Sequence, residues 1–234
     1  MEGIQPLYDK QITCPFCSNT YHTKRVRSRF IKPLHTDADF CTTYEDETLS
    51  PLLYGVYVCP SCGYSFSDQS TPILAKQDRE RLNSQLVNRW AYQDFSGERT
   101  VEDAVHTIKL AIYTGSLKKE KAIVLAGLAL RLVWLYRKRN DHINEKRFIH
   151  LSERLYKQAY AEDDALAHGM SPLKILYLIG ELNRRLGNDK AAIQYFSKVV
   201  DNRKNTFDPK IIEMARNQWY LIRDKRKRSL RSSG

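Results

Sequence analysis

Four cysteines stand in two pairs whose residue types and spacing suit the binding of a metal ion. The first pair is C-P-F-C at residues 14–17, and the second is C-P-S-C-G at residues 59–63. We call these turns the first and second knuckle. Two thiols separated by two residues share one tight turn, so both can reach a single cation. Four soft thiolates with no open position are typical of a closed structural site. We therefore predict a metal site made of Cys14, Cys17, Cys59 and Cys62.

Zinc (Zn2+) is the metal that this ligand set favours, and a single iron (Fe) is the alternative. Tetrahedral sites of four thiolates serve both metals. Residues 57–64 are similar to a knuckle of rubredoxin, which supports iron. Against iron, the segment between the knuckles is long and polar, and no redox partner domain is visible in the sequence.

Residues 18–58, between the two knuckles, must carry structure of their own because a compact zinc finger uses a shorter segment. The stretches 21–30 and 53–58 are rich in β-forming residues, and the second alternates in the manner of a strand. We predict two hairpins whose tips hold the knuckles, in a zinc-ribbon arrangement. The metal would replace the core that some 60 residues cannot easily build.

Three other residues near the knuckles could in principle bind the metal. Cys41 is the odd thiol, with three interpretations: a spare ligand, a redox-sensing thiol or a buried small hydrophobe. The last is the common fate of a free cysteine, and we expect it here. His22 and His35 would enter the metal shell only if a cysteine were displaced.

Two charge blocks also lie between the knuckles, a basic one at 24–32 and an acidic one at 37–47. The simple expectation is that the opposite charges of the two blocks neutralise each other across paired strands. The functional alternatives are a second cation site at Asp37 and Asp39 and a phosphate contact at Arg27 and Arg29. Their spacing does not favour either alternative over compensation.

The chain after the second knuckle has the pattern of a helical body. Ser70, Thr71 and Pro72 form a capping sequence, which predicts a helix start there. Thr100 with Asp103 resembles a capping box. The stretch 118–139 is apolar almost all round, which indicates a central helix packed on several sides. Asp208 followed by proline predicts the start of a last helix.

One stretch of this body, residues 176–200, has the offsets of a tetratricopeptide repeat. Such a repeat has a small residue in its first helix, a glycine at the turn, and a small and an aromatic residue in its second helix. The residues at these positions here are, in order, Gly180, Gly187, Ala192 and Phe196. Gly127 lies too far from Gly180 for a regular array of such repeats. We therefore predict one good repeat in a repeat-like body. A stripe of aromatic residues could line a peptide groove, although core packing is the commoner role of such a stripe: Tyr177, Tyr195, Trp219 and Tyr220.

Length, composition and charge limit the kinds of protein that this chain can be. The chain has 234 residues and a formal charge of +11, with 42% apolar residues. Residues 1–70 hold six Lys/Arg and eight Asp/Glu, whereas the rest of the chain holds 32 and 19, so the helical body is the basic part. Residues 223–231 form a basic tail. The sequence shows no secretory signal and no apolar run of about 18 residues, so we expect a cytoplasmic protein without a membrane segment.

The order of these features resembles an uncharacterised bacterial family of unknown function. The resemblance rests on the two knuckles, on the segment 37–41 and on the turn at 180–187. That family joins an N-terminal zinc-ribbon-like segment to C-terminal tetratricopeptide-like helices. The resemblance implies a bacterial cytosolic protein with zinc on the four knuckle cysteines, and it implies no activity.

The sequence therefore predicts a mainly α protein with a small β metal-binding region. We expect a zinc-ribbon-like domain at 1–70 and a tetratricopeptide-like helical domain at 71–231. The expected function is a zinc-stabilised adaptor that binds a protein partner through its helical surface. The alternatives are a nucleic-acid-binding protein and a thiol or metal redox sensor. No catalytic motif is recognised, and no small-molecule substrate is indicated.

Overall fold

Three small β-hairpins precede a body of helices. The structure is a computed structural model that describes residues 4–162, 169–202 and 208–231. Within those ranges it has three two-stranded antiparallel sheets and seven α-helices, as expected for a mainly α protein with a small β region. None of these helices has both the length and the apolar content that crossing a membrane requires.

The first and third hairpins carry the knuckles at their tips, as predicted. In the first, strand β1 (Leu7–Thr13) pairs with β2 (Thr20–Val26), and in the third, β5 (Tyr57–Val58) pairs with β6 (Ser65–Phe66). A hairpin that we did not predict lies between them, formed by β3 (Pro33–Thr36) and β4 (Thr42–Tyr44). The predicted strand tracts are longer than the strands observed.

The seven helices follow in chain order. They are α1 (Lys76–Gln85), α2 (Val101–Leu117), α3 (Ala122–Lys138), α4 (His142–Ala161), α5 (Pro172–Arg185), α6 (Asp189–Asp201) and α7 (Pro209–Arg231). The predicted capping box is present on α2, where the Asp103 N–H donates to Thr100 Oγ1 at 3.1 Å and the Thr100 N–H donates to Asp103 Oδ2 at 2.9 Å.

The predicted helix start at Ser70, Thr71 and Pro72 is wrong, because α1 begins only at Lys76. The groups of Thr71 that would cap a helix have another partner. Its hydroxyl donates to Glu120 Oε1 at 2.7 Å, and its amide donates to Glu120 Oε2 at 3.0 Å. The carboxylate between α2 and α3 therefore fixes this segment as an extended connection.

Helix α3 is central, as its apolar sequence predicted. Its buried residues share one core with α2, α4 and α5. Leu53, Tyr54, Val56 and Val58, from the approach to the second knuckle, belong to the same core. The second knuckle is thus mounted directly on the helical body, and the division into two domains near residue 70 stays a prediction.

The expected compensation across strands holds for Glu45, which pairs with Lys32 across the middle hairpin at 3.1 Å, whereas Asp37 and Asp39 pair with helices. Asp39 is fully buried, and its carboxylate accepts from Arg137 of α3 at 2.6 Å and from Arg185 of α5 at 3.2 Å. Asp37 also pairs with Arg137, at 3.2 Å. Because these cations satisfy both carboxylates, ion pairing explains Asp37 and Asp39 without a second metal.

Helices α5 and α6 pack closely where a glycine faces an aromatic ring. A Cβ at Gly180 would lie 2.7 Å from a ring carbon of Phe196. Gly187, in the turn between the helices, has φ +78°. These contacts suit the predicted repeat, which stays a prediction. The aromatic stripe is not one surface, because Tyr177 is buried and donates its hydroxyl to Ala38 O at 2.7 Å, whereas Tyr220 is exposed.

Alanine at Gly180 should destabilise the fold, because the new methyl group must displace the Phe196 ring. We expect Gly180→Ala to lower the free energy of unfolding by about 1–3 kcal/mol. Gly127 of α3 is the matched control, since a Cβ there meets nothing within 4 Å. Gly127→Ala should raise stability by roughly 0.5–1 kcal/mol through helix propensity. Urea unfolding of the two variants measures both effects, and equal midpoints would contradict this account of the α5–α6 contact.

Candidate metal centre

The four knuckle cysteines converge on one point. All four sulfurs lie within 4.8 Å of one another. The Sγ atoms of Cys14 and Cys62 are 3.7 Å apart, and those of Cys17 and Cys59 are 3.6 Å apart. A metal bound at about 2.3 Å to four tetrahedral sulfurs would set them roughly 3.8 Å apart, whereas a disulfide needs about 2.05 Å. The four thiols therefore have the arrangement of a metal site.

The two knuckles have the same backbone structure. In each, the N–H of the first cysteine donates to the carbonyl five residues later, at 2.9 Å from Cys14 and at 3.0 Å from Cys59. The carbonyl of that cysteine accepts from the residue four positions later, Ser18 or Gly63, at 2.9 Å in both cases. These two residues are left-handed, with φ values of 62° and 73°. Each tight turn thus presents both of its sulfurs on one side.

Burial differs among the four cysteines. Cys14, Cys59 and Cys62 are buried, whereas Cys17 is exposed. The rings of Phe16 and Tyr64 stack at 6.0 Å beside the cluster. The cluster is therefore closed on most sides, and Cys17 marks the side from which a chelator or an oxidant can approach.

Helix α1 holds the first knuckle through an arginine. Arg79 donates to the carbonyl of Phe16 at 2.8 Å and to that of Pro15 at 3.1 Å. Its guanidinium also lies 5.4 Å from the centre of the Phe16 ring. Leu82 and Leu86, one and two turns further along, are buried against the cysteine cluster. Sequence reasoning missed this role, because nothing in the local pattern assigns Arg79 a partner more than 60 residues away.

A tryptophan just after α1 holds the second knuckle. The Trp90 Nε1–H donates to Pro60 O at 2.8 Å. Its ring lies so close to Gly63 that a Cβ there would be 2.3 Å from a ring carbon. Residues 76–90, which we call the strap, therefore contact both knuckles and close the site from one side.

The electrostatics of the cluster favour a bound cation. Hydrogen bonds from Cys14 and Cys62 hold the pKa of Cys59 far below its ordinary value. Hydrogen bonding to the ionised Cys59 raises the pKa of Cys14, and hydrogen bonds with Cys14 and Cys59 raise that of Cys62. Without a cation the cluster thus favours a shared negative charge over four thiolates. A divalent metal would allow all four to ionise, so the donor set fits such a metal.

The other candidate ligands lie outside the cluster. His22 and His35 are exposed, and His35 Nε2 lies 3.2 Å from Asp37 Oδ1. Cys41 is buried, as predicted, and burial raises the pKa of its thiol to about 11. A thiol that is protonated at neutral pH is a poor nucleophile, so these properties disfavour Cys41 as a redox sensor.

Comparison with protein families shows which family the chain matches. A family model described as "Uncharacterized protein conserved in bacteria (DUF2225)" matches residues 7–222. This range includes both knuckles, the strap and almost all of the helical body. Comparisons with curated proteins and with solved structures found no match.

Substitution at the two left-handed positions of the knuckles should affect stability to different extents. Gly63→Ala adds backbone strain and a collision with Trp90, and we expect it to lower the free energy of unfolding of the metal-loaded protein by about 2–4 kcal/mol. Ser18→Gly is the matched control. It relieves strain at an exposed position and should change stability by no more than about 1 kcal/mol. Denaturant unfolding checks both variants, and a Gly63→Ala protein as stable as the parent would refute the proposed packing of the second knuckle.

Proposed function

We propose that this chain, which belongs to the DUF2225 family of proteins conserved in bacteria, is a zinc-stabilised module for protein interaction. The observation that carries the proposal is the convergence of four cysteine sulfurs within 4.8 Å of one another. Four thiolates leave no position open for a substrate, which suits a structural ion rather than a catalytic one. The metal would join the first and third hairpins, and the strap, which contains α1, would hold both knuckles from one side.

Zinc is the proposed metal because the site is closed and built from two rigid turns. Such a site stabilises a fold without redox chemistry, which is the usual role of zinc on four cysteines. The alternative, iron, uses the same geometry. The two metals differ in an observable way, since ferric iron on four thiolates is coloured and zinc is not.

Support for a protein partner comes from the outer face of α6 and α7. A cavity of about 240 Å³ there is lined by Val200, Trp219 and Tyr220, among others. Tyr220 is an exposed aromatic residue, and Arg223 lies over the rings of both Trp219 and Tyr220, at 5.3 and 5.0 Å. Tyrosine, tryptophan and arginine are the residues that most often dominate protein interfaces. We propose this face as the adaptor surface.

Removal of one knuckle cysteine should distinguish a structural metal site from a cysteine cluster that binds no metal. We expect the purified protein to hold one zinc per chain. Cys59→Ser should lose most of this metal and about 3–5 kcal/mol of unfolding free energy, roughly 10 °C in Tm. Cys41→Ser is the control, because it removes a buried thiol outside the cluster. It should keep the metal and cost about 1 kcal/mol.

Metal analysis and thermal unfolding, each with and without a strong zinc chelator, measure these effects. A Cys59→Ser protein that keeps one metal per chain and the parental Tm would sink the proposal. A visible absorption band with iron in place of zinc would reassign the metal.

Nucleic-acid binding is the second candidate, and the form of α7 favours it. The helix runs without a break to Arg231. Four exposed basic side chains lie near its end: Arg223, Lys225, Lys227 and Arg228. The side chains of residues 226 and 229–231 lie outside the described part of the structure. Buried Ile222 attaches the start of this basic segment to the helical body.

Salt dependence distinguishes the two candidates. If α7 makes three phosphate contacts to single-stranded RNA, a rise in salt concentration from 50 to 200 mM should weaken binding roughly 20-fold. The triple variant R223Q/K225Q/K227Q should remove this dependence, whereas K146Q/R147Q/R154Q, on the exposed face of α4, should not. The adaptor proposal expects weak binding that both triple variants reduce equally. Fluorescence anisotropy with a labelled mixed-sequence RNA measures the difference.

A further inference from the structure

A second candidate site lies away from the cysteines, where the β region meets the central helix. A cavity of about 310 Å³ opens between the segments 25–55 and 67–69 on one side and α3 on the other. None of the knuckle cysteines lines it. This volume falls at the lower end of the range for small-molecule sites, which form preferentially at junctions of this kind.

Two residues of α3 that line this cavity carry hydrogen-bond donors for which the described residues supply no acceptor. The Nε1 of Trp134 is buried and has no hydrogen-bond partner. The guanidinium of Arg131 has no hydrogen-bonded or ion-paired partner among the described residues. The two residues are three apart and therefore share one face of the helix. A Cβ at Gly55 would lie 3.7 Å from Arg131 Nη1, which places the guanidinium beside the cavity wall.

The charges around the cavity leave Arg131 uncompensated. The other charged residues of the lining are Arg25 and Asp68. The Asp68 carboxylate already accepts from Arg25 at 3.1 Å, from the hydroxyl of Tyr57 at 2.7 Å and from Lys10 at 3.5 Å. Burial raises the pKa of Tyr44 and of Tyr54, so these phenols are neutral at pH 7. The lining thus carries a net positive charge, at the guanidinium that has no partner.

Burial of this cation is unfavourable unless an anion accompanies it. Desolvation lowers the pKa of Arg131, and electrostatic attraction to Tyr156 and to Asp68 offsets only part of this effect. A guanidinium with free N–H groups is the preferred partner of a carboxylate or a phosphate, which it binds with two parallel hydrogen bonds. An indole N–H on the same helix face supplies a third donor.

The other residues that line the cavity favour a ligand with an apolar part. Phe40, Leu52 and Ile31 line the cavity together with the Trp134 ring. We propose that this cavity binds a small organic anion, whose carboxylate or phosphate head accepts hydrogen bonds from Arg131 and Trp134 and whose apolar or aromatic body packs on these side chains. This site is independent of the zinc site, and neither requires the other.

The experiment uses simple aromatic probes and the metal-loaded 234-residue chain. Benzoate and phenyl phosphate present the two candidate head groups, and benzamide is the neutral analogue of benzoate. The chain has three tryptophans, so its indole N–H region contains few resonances, and Trp134→Phe assigns the one from the cavity. An indole N–H that gains an anionic acceptor shifts its resonance in a saturable manner.

We expect at least one of the two anions to shift the Trp134 indole resonance, and benzamide to bind at least tenfold more weakly than benzoate if the head is a carboxylate. Arg131→Gln should weaken the affinity for the anion at least tenfold. Arg154→Gln, which changes an exposed arginine of α4, should leave this affinity unchanged. The stronger of the two anions identifies the head group.

The proposal is overturned if neither anion shifts the Trp134 resonance up to its solubility limit. It is also overturned if the shift survives Arg131→Gln or if benzamide binds as well as both anions, because the cavity would then be a water-filled or merely apolar space. Should Arg131→Gln fail to fold, Trp134→Phe decides instead. Saturation-transfer signals from the bound anion must then weaken severalfold in Trp134→Phe, and unchanged signals would reject the site.

Discussion

The convergence of four cysteine sulfurs within one small volume is the constraint on which the N-terminal architecture depends. Cys14 and Cys17 come from one hairpin and Cys59 and Cys62 from another, and they meet within 4.8 Å. The hydrogen bonds among them favour ionisation of one thiol at the expense of its neighbours. A divalent ion would allow all four thiols to ionise and would make the cluster the link between two hairpins that are each too small to be stable alone.

Three arginines, one buried and two half-buried, anchor the same region to the helices. Arg99, just before α2, is buried and donates to Val56 O at 2.7 Å and to Thr23 Oγ1 at 3.3 Å, so it connects the first hairpin with the approach to the second knuckle. Arg137 and Arg185 hold the middle hairpin through buried Asp39. Removal of one partner from such buried pairs leaves a charge without compensation, which typically costs several kcal/mol. The hairpins, although small, are thus fixed at three separate points, and their relation to α3 defines the cavity at their junction.

The features that the sequence predicted well are those with local physical causes. The cysteine pairs, the capping box at Thr100 and the all-apolar character of α3 each depend on residues a few positions apart. The predicted start at Thr71 failed because its capping groups bind Glu120, a partner 49 residues away. Similarly, the pairing of Asp39 with Arg137 depends on how the hairpins rest on the helices. Arg131 and Trp134 belong to no sequence motif. Their proposed role depends on the absence of nearby acceptors among the described residues, which only the folded structure reveals.

The central claim is that the four knuckle cysteines hold one zinc ion in a closed tetrahedron. X-ray absorption at the zinc edge on the purified protein tests it most directly, because it reports the ligand type, number and distance together. The account predicts four sulfur ligands at about 2.3 Å and no light-atom ligand. A first shell that contains nitrogen or oxygen, or fewer than four sulfurs, would contradict it. The cysteine cluster would then be an open or incomplete site rather than the link between the two hairpins.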